Sequence, residues 1–158
     1  MVISNISTFL KEQNIDLVCA GGGGFNIDEL ELIQSAKLET NVSHISIKND
    51  QHLNSLYQHA FCFIYPSLYE GFGIPILEAF ANSCPVILAN SSCFPEIAGD
   101  AALYFDDKIS LLNQLTALIN STLLKKNMIN SGNDQLKKFT WSESVEKHLD
   151  VYRKIGAI

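Results

Sequence analysis

Short apolar runs alternate along this chain with longer stretches in which apolar residues recur every three or four positions. Ile3, Ile6, Phe9 and Leu10 form the apolar stripe of an opening helix, and residues 16–20 read as a buried strand ending in four glycines. Ile27, Leu30, Leu32, Ile33, Ala36 and Leu38 share one helical face, with Asn26 or Asp28 placed to start it. Residues 44–47 make a short strand, and Asp50 can cap a helix carrying Leu53, Leu56, Tyr57 and Ala60. Residues 61–65 form the next strand and 66–73 a loop, and Pro75 opens a helix that runs to about Asn82. Strands follow at 86–89 and 102–105, separated by one helical turn at 95–98. From Ser110 the periodicity is helical throughout: to about Asn120, over 123–138, and from Trp141 or Ser142 onward.

Strands alternating with helices, several of them apolar on both faces, predict an α/β fold: a Rossmann-like, mainly parallel sheet with helices on both sides. Ligands bind such sheets at the carboxyl ends of the strands, which confines the search to loops 21–26, 48–50, 66–73 and 90–94. A length of 158 residues fits a single domain over 1–158, and the 47% apolar content argues for a packed core. Four cysteines (Cys19, Cys62, Cys84, Cys93) have no paired metal spacing, so buried free thiols in a reducing cytoplasm are expected. His44, His52, His59 and His148 fall at no metal-ligand spacing, so no metal site is expected from them.

Charge changes the picture more than composition does. Eleven Lys or Arg oppose seventeen Asp or Glu, a net −6, which argues against nucleic acid or an anionic membrane as the main partner. The charges are also unevenly spread. Between Asp50 and Glu96 the only two are Glu70 and Glu78, and no Lys or Arg occurs from Asn49 to Asp107. Both glutamates fall in Tyr65-Pro66-Ser67-Leu68-Tyr69-Glu70-Gly71-Phe72-Gly73-Ile74-Pro75-Ile76-Leu77-Glu78-Ala79. Glycines flanking Phe72 permit close backbone approach to a ligand. The amides of Gly71 to Ile74 then converge near a helix N-terminus, which suits a phosphate or a sugar oxygen. Glu70 and Glu78 can accept hydrogen bonds from the hydroxyls of one bound molecule. The plainer alternative is that Glu78 complements the helix dipole and Gly-x-Gly is a tight turn.

This segment resembles the Glu-x7-Glu signature of retaining glycosyltransferases of the GT-B fold, family four, the "glycosyl transferases group 1". Further blocks match in order: Pro85-Val86-Ile87, the run Pro95 to Ala102, Phe139-Thr140-Trp141 and Tyr152-Arg153. The resemblance implies the C-terminal, donor-binding half of a two-domain enzyme. Such an enzyme moves a hexosyl group from a nucleoside diphosphate sugar to a glycan or lipid-linked acceptor, without a metal or other cofactor. It implies that Glu70, the catalytic-site candidate, holds donor-sugar hydroxyls and that Glu78 holds the ribose. The amides of Gly71, Phe72, Gly73 and Ile74 would contact sugar and diphosphate, and Lys48 and Asn49, on the loop before the Asp50 helix, would flank the base. A cytoplasmic protein, peripheral at the inner membrane face in the full enzyme, is the expected location.

The chain departs from the family in three places. Ser83 replaces a glycine before the strand at Val86, and Ser46 stands where a glycine is common. The strand and basic loop with which the family's donor domain begins, carrying an Arg and a Lys, have no counterpart. In a sheet ordered 3-2-1-4-5-6 that strand is central, so a gap is expected between the strands at Val18 and Ile64. A fragment of a longer protein is therefore expected, its acceptor-binding half absent and the isolated chain inactive; self-association is another way to cover the incomplete sheet. A truncated, non-catalytic domain for nucleotide binding or subunit contact is the alternative. A flavodoxin-like signalling module is disfavoured, because the first strand's end lacks an acidic cluster. Gly21–Gly24 is favoured as a turn beside the cleft over a direct phosphate ligand.

Overall fold

The computed structural model describes residues 2–156, with side chains described from Ile6 to Gly156, so Ile3 of the opening stripe lies outside the described side chains. The chain runs α1 (Val2–Gln13), β1 (Leu17–Ala20), α2 (Ile27–Ser35), β2 (Val42–Ile45), α3 (Asp50–His59), β3 (Phe63–Tyr65) and α4 (Ile74–Ala81). It continues through β4 (Val86–Ala89), α5 (Phe94–Ala98) with a 3-10 turn, β5 (Ala102–Phe105), α6 (Lys108–Asn120), α7 (Thr122–Leu136) and α8 (Trp141–Lys154). Among the described residues every strand pairing is parallel. Val86 of β4 lies opposite Phe63 on one side and Ala102 on the other, while Leu17 of β1 lies opposite Val42 of β2.

The parallel α/β architecture is the one the sequence pattern predicts, and it is broken where a gap is expected. Strands β1 and β2 form one sheet and β3, β4 and β5 another. A cavity of about 1160 Å³ is lined by β1 on one side and β3 on the other, with Ile6, Phe9 and Leu10 of α1 and Leu115 of α6 also on its wall.

Among the described residues two apolar clusters build the core. Ile6, Phe9, Leu10, Ile33, Val42, Ile87, Leu111, Leu115 and Leu118 pack beneath both sheets. Ile76, Ala79, Phe80, Val86, Leu88, Phe94 and Ile97 cover the opposite face of the three-stranded sheet. The pleat of β4 explains the division: Val86 and Leu88 point to one cluster and Ile87 to the other. All four residues of β4 are buried.

Local differences from the sequence reading have identifiable causes. The strand expected at 44–47 forms at Val42–Ile45, because Lys37 turns left-handed after α2 and the Val42 amide closes back on the Leu38 carbonyl at 2.9 Å. Buried Val42 therefore starts the strand. Asn49, not Asp50, caps α3: its side chain accepts from the His52 amide at 2.9 Å, and Asp50 sits in the first turn beside the positive end of the dipole. At α2 the cap is Asn26, in a reciprocal capping box with Glu29. β1, expected to be a buried strand, alternates half-buried with exposed, because among the described residues neither cluster covers its second face. Among the described residues no helix is long and apolar enough to cross a membrane.

Candidate functional site

The site is built at the carboxyl end of β3. Tyr65 ends that strand, residues 66–73 cross the rim, and α4 begins at Ile74. Gly73 is the N-cap of α4, buried, with φ +88°. A Cβ there would lie 3.0 Å from Ile76 Cδ1 and 3.1 Å from Phe94 Cε1, so glycine is required both by conformation and by the packing beneath the turn. Pro75 follows in the first turn, where its missing N–H costs no hydrogen bond. Gly71 differs: a Cβ would meet nothing within 4 Å, and its φ is not positive. The fold itself makes no demand for glycine at 71. Phe72 is pinned by an edge-on contact with Phe139, centroids 5.6 Å apart, and Ile74 is exposed.

The β4–α5 segment ties this loop down. Ser92, at φ +55°, takes the Glu70 amide at 3.1 Å and donates to the Glu70 carbonyl at 2.8 Å. Cys93 Sγ donates to the same carbonyl at 3.4 Å, and Ser91 Oγ to the Ser67 carbonyl at 3.1 Å. Sequence reasoning marked loop 90–94 for its position at a strand end, but three consecutive side chains gripping a distant loop leave no periodic signal.

Both glutamates accept from a tyrosine. Tyr65 donates to Glu70 Oε1 at 2.7 Å, and Tyr57 on α3 donates to Glu78 Oε2 at 3.3 Å. The Tyr65 hydroxyl, and after it that of Ser67, holds the Glu70 carboxyl below the ordinary value for a glutamate. Burial, then the bond to Glu70, pushes the Tyr65 hydroxyl up to about 12. Tyr57 is raised further, by burial first and by Glu78 second. Neither tyrosine stood out in the sequence as polar, since Tyr57 reads as one more apolar residue on a helix face.

The predicted residues are only partly brought together. Glu70, Gly71, Phe72, Gly73 and Ile74 are consecutive along the rim loop into α4 and do not line the cavity, and Glu78 follows about one turn into α4. Glu78 lines the cavity along with Tyr57, Tyr65, Pro66 and Pro75, while Gly21, Gly23 and His44 line it from the β1–β2 side. Gly21 and Gly22 have positive φ, and the Gly21 carbonyl meets His44 Nε2 at 2.9 Å, so the glycine run is a turn at the cavity's edge. Lys48 and Asn49 sit on the neighbouring loop and do not line the cavity. Lys48 is exposed, and the Asn49 side-chain oxygen is engaged by the α3 cap.

Among the described residues, ion pairs lie at 134–153, on α7, α8 and the turn between them, with none at the rim. The four cysteines are free, and burial pushes the thiols of Cys62 and Cys84 up to about 12, which keeps them protonated. Among the described residues no three His, Cys, Asp or Glu side chains gather as a metal site.

Comparison with known proteins gives this geometry a family. The family model "Glycosyl transferases group 1" matches residues 1–148. The O-antigen chain mannosyltransferase B of Escherichia coli is 31% identical over 140 residues, covering 87% of this chain and 37% of that protein. Sucrose-phosphate synthase from Thermosynechococcus elongatus superimposes with a TM-score of 0.78 at 22% identity, over 97% of this chain and 42% of that one. The C-terminal domain of LpcC, a glycosyl transferase group 1 family protein from Francisella tularensis, gives 0.68 at 24% identity, over 86% of this chain and 75% of that one. The chain thus spans well under half of the curated relative's length. Its parallel strands and flanking helices are those of the C-terminal domains of GT-B glycosyltransferases, and the chain belongs to the glycosyl transferases group 1 family.

Proposed function

We propose that this chain is the donor-binding part of a retaining glycosyltransferase, which moves a hexosyl group from a nucleoside diphosphate sugar to a glycan or lipid-linked acceptor. The observation that carries this reading is the pair Glu70 and Glu78. Each follows β3 in the chain, and each carboxylate accepts from a tyrosine, Glu70 from the Ser67 hydroxyl as well, which leaves lone pairs on both to offer a ligand hydroxyl. Glu70 takes the sugar and Glu78 the ribose. The amides from Gly71 to Ile74 and the start of α4 take the diphosphate, and Gly71, which the fold leaves free to be any residue, allows that approach. The named activity of the E. coli relative, mannosyl transfer, makes a mannosyl donor a natural candidate.

The chain is one part of a longer enzyme. The cavity between β1 and β3 presents two parallel strand edges and an apolar wall, which suits one further parallel strand from elsewhere in the protein. The cations needed beside a diphosphate also come from outside residues 49–107, which hold no Lys or Arg. The acceptor-binding half lies elsewhere too, so residues 1–158 alone bind donor weakly and transfer no sugar. The mechanism here is positioning and electrostatic stabilisation of the departing diphosphate, with no metal and no general base among these residues.

The test is an NMR titration of the chain with UDP, GDP, UDP-glucose and GDP-mannose. Glu78→Ala is expected to weaken the nucleotides and the nucleotide sugars alike by about tenfold, one lost charged hydrogen bond. Nucleotide binding indifferent to Glu78→Ala would point instead to a truncated, non-catalytic domain.

A further inference from the structure

An unbroken line of aromatic rings runs behind the two glutamates. Tyr57 meets Phe63 edge-on at 5.3 Å between centroids, Phe63 meets Tyr65 at 5.4 Å, and Tyr65 meets Phe94 at 5.0 Å. Phe63 and Tyr65 are two residues apart on β3 and so project from the same face. Tyr57 comes from α3 and Phe94 from α5, so the line ties two helices to the strand that ends at the site. Two of its four rings carry a hydroxyl, and each hydroxyl reaches one of the two glutamates.

Packing alone does not call for these hydroxyls. Phenylalanine would fill the same space, and burying a hydroxyl costs free energy unless it is hydrogen-bonded. The partner in each case is a carboxylate with only part of its hydrogen-bonding capacity used. The main chain of Glu70 is held as well, since Ser92 bonds both its amide and its carbonyl. With backbone and one carboxylate oxygen fixed, the direction of the other oxygen is fixed too.

We propose that Tyr65 and Tyr57 are positioning residues: Tyr65 sets the Glu70 carboxylate for the donor sugar, and Tyr57 sets the Glu78 carboxylate for the ribose. The assignment rests on the donor-binding reading above and deepens it. The two tyrosines are then separable by ligand, because they act through different glutamates on different parts of one molecule. A merely structural role would weaken every ligand equally. The hold on Glu70 is also visible without any ligand, since a carboxylate accepting from Tyr65 stays ionised to lower pH. Of the groups that face Glu70, Tyr65 from β3 and Cys93 from the start of α5 can titrate, while Ser67 and Ser92 cannot.

The test uses Tyr65→Phe and Tyr57→Phe, which keep the ring contacts and remove one oxygen each. In Tyr65→Phe, UDP-glucose or GDP-mannose binding is expected to fall about tenfold while UDP or GDP binding stays within about twofold. In Tyr57→Phe, nucleotides and nucleotide sugars are expected to weaken together, and only while Glu78 is present. In a Glu78→Ala background the same substitution is expected to change binding less than about twofold, and an undiminished further loss there would overturn the role given to Tyr57. The carboxyl carbon of Glu70, followed by NMR, is expected to titrate below the ordinary glutamate range in the wild type and to move up in Tyr65→Phe. Equal loss of all four ligands in Tyr65→Phe, or an unmoved Glu70 titration, would overturn the proposal. Should Tyr65→Phe not fold, a wild-type Glu70 midpoint at or above the ordinary range overturns it. A wild-type chain that binds none of the four probes removes the donor-binding reading, and with it the ligand roles given to both tyrosines, whereas the Glu70 titration judges the Tyr65 hydroxyl separately.

Discussion

The two sheets of this chain are built from the same kind of strand but are covered differently. β3, β4 and β5 lie between two apolar clusters, and β4 is buried at every position. β1 and β2 rest on one cluster only, and Val18 is 42% exposed on the uncovered face. The rim loop carrying Glu70, the helix carrying Glu78 and the serines that grip the loop all belong to the covered sheet. A site placed on tightly packed elements holds its geometry more closely than one on a loose margin, and the side chains proposed to hold the donor stand on the more fully covered sheet. The largest test of this contrast is Phe94→Ala. Phe94 is fully buried, stacks on Tyr65 and lies under Gly73, and its truncation is expected to cost about 3–5 kcal/mol in urea denaturation. A loss under about 1 kcal/mol would mean that the covered half is not the tightly packed one.

Glycines sharpen the comparison at a smaller scale. Gly132 on α7 lies against α4, and a Cβ there would sit 2.8 Å from Phe80 Cδ1 in the core. Alanine would gain up to about 1 kcal/mol of helix propensity, yet overpacking a rigid ring costs about 1–3 kcal/mol. Gly132→Ala is therefore expected to destabilise overall. Gly24, beside the open sheet, has no positive φ and nothing within 4 Å of a Cβ, so Gly24→Ala is expected to fall within about 0.5 kcal/mol of the wild type. Thermal melts of the two variants decide it, and equal effects would break the contrast.

The same contrast explains how much of the molecule was legible in the sequence. β4 and β5 appear at their expected residues, since a short apolar run bounded by Pro85 or by the turn before Ala102 can be little else. The strand expected at 44–47 slipped, because partner pairing and the left-handed turn at Lys37 set its register, and both are properties of the folded chain. The glutamates stood out because charge is otherwise absent from that stretch. Their tyrosines did not, since a phenolic hydroxyl on an apolar ring shows its use only when the acceptor is in place. Asn49 shows the converse: a residue marked for a ligand spends its side-chain oxygen on a helix cap. The gap between the sheets was readable only from the strand order that the family resemblance brings.

A matched pair of valine substitutions isolates coverage from every other variable. Val→Thr keeps the shape of the side chain and replaces a methyl with a hydroxyl, so its cost reports whether that group is in water. At Val86, fully buried in β4, the substitution is expected to cost about 1–3 kcal/mol, since the strand's surroundings offer the hydroxyl no water. At Val18 the same change is expected to fall within about 0.5 kcal/mol of zero. Both residues are strand valines with the same β-branched backbone preference, so propensity cancels between them and the difference measures burial alone. The experiment also bears on the cavity beside β1. A strand seated there would bring side chains against Val18 and raise the cost of Val18→Thr, leaving Val86→Thr unchanged. Repeating the pair in the longer enzyme proposed above therefore separates a slot that is filled there from one that stays open: a cost at Val18 that rises toward that at Val86 marks it as filled.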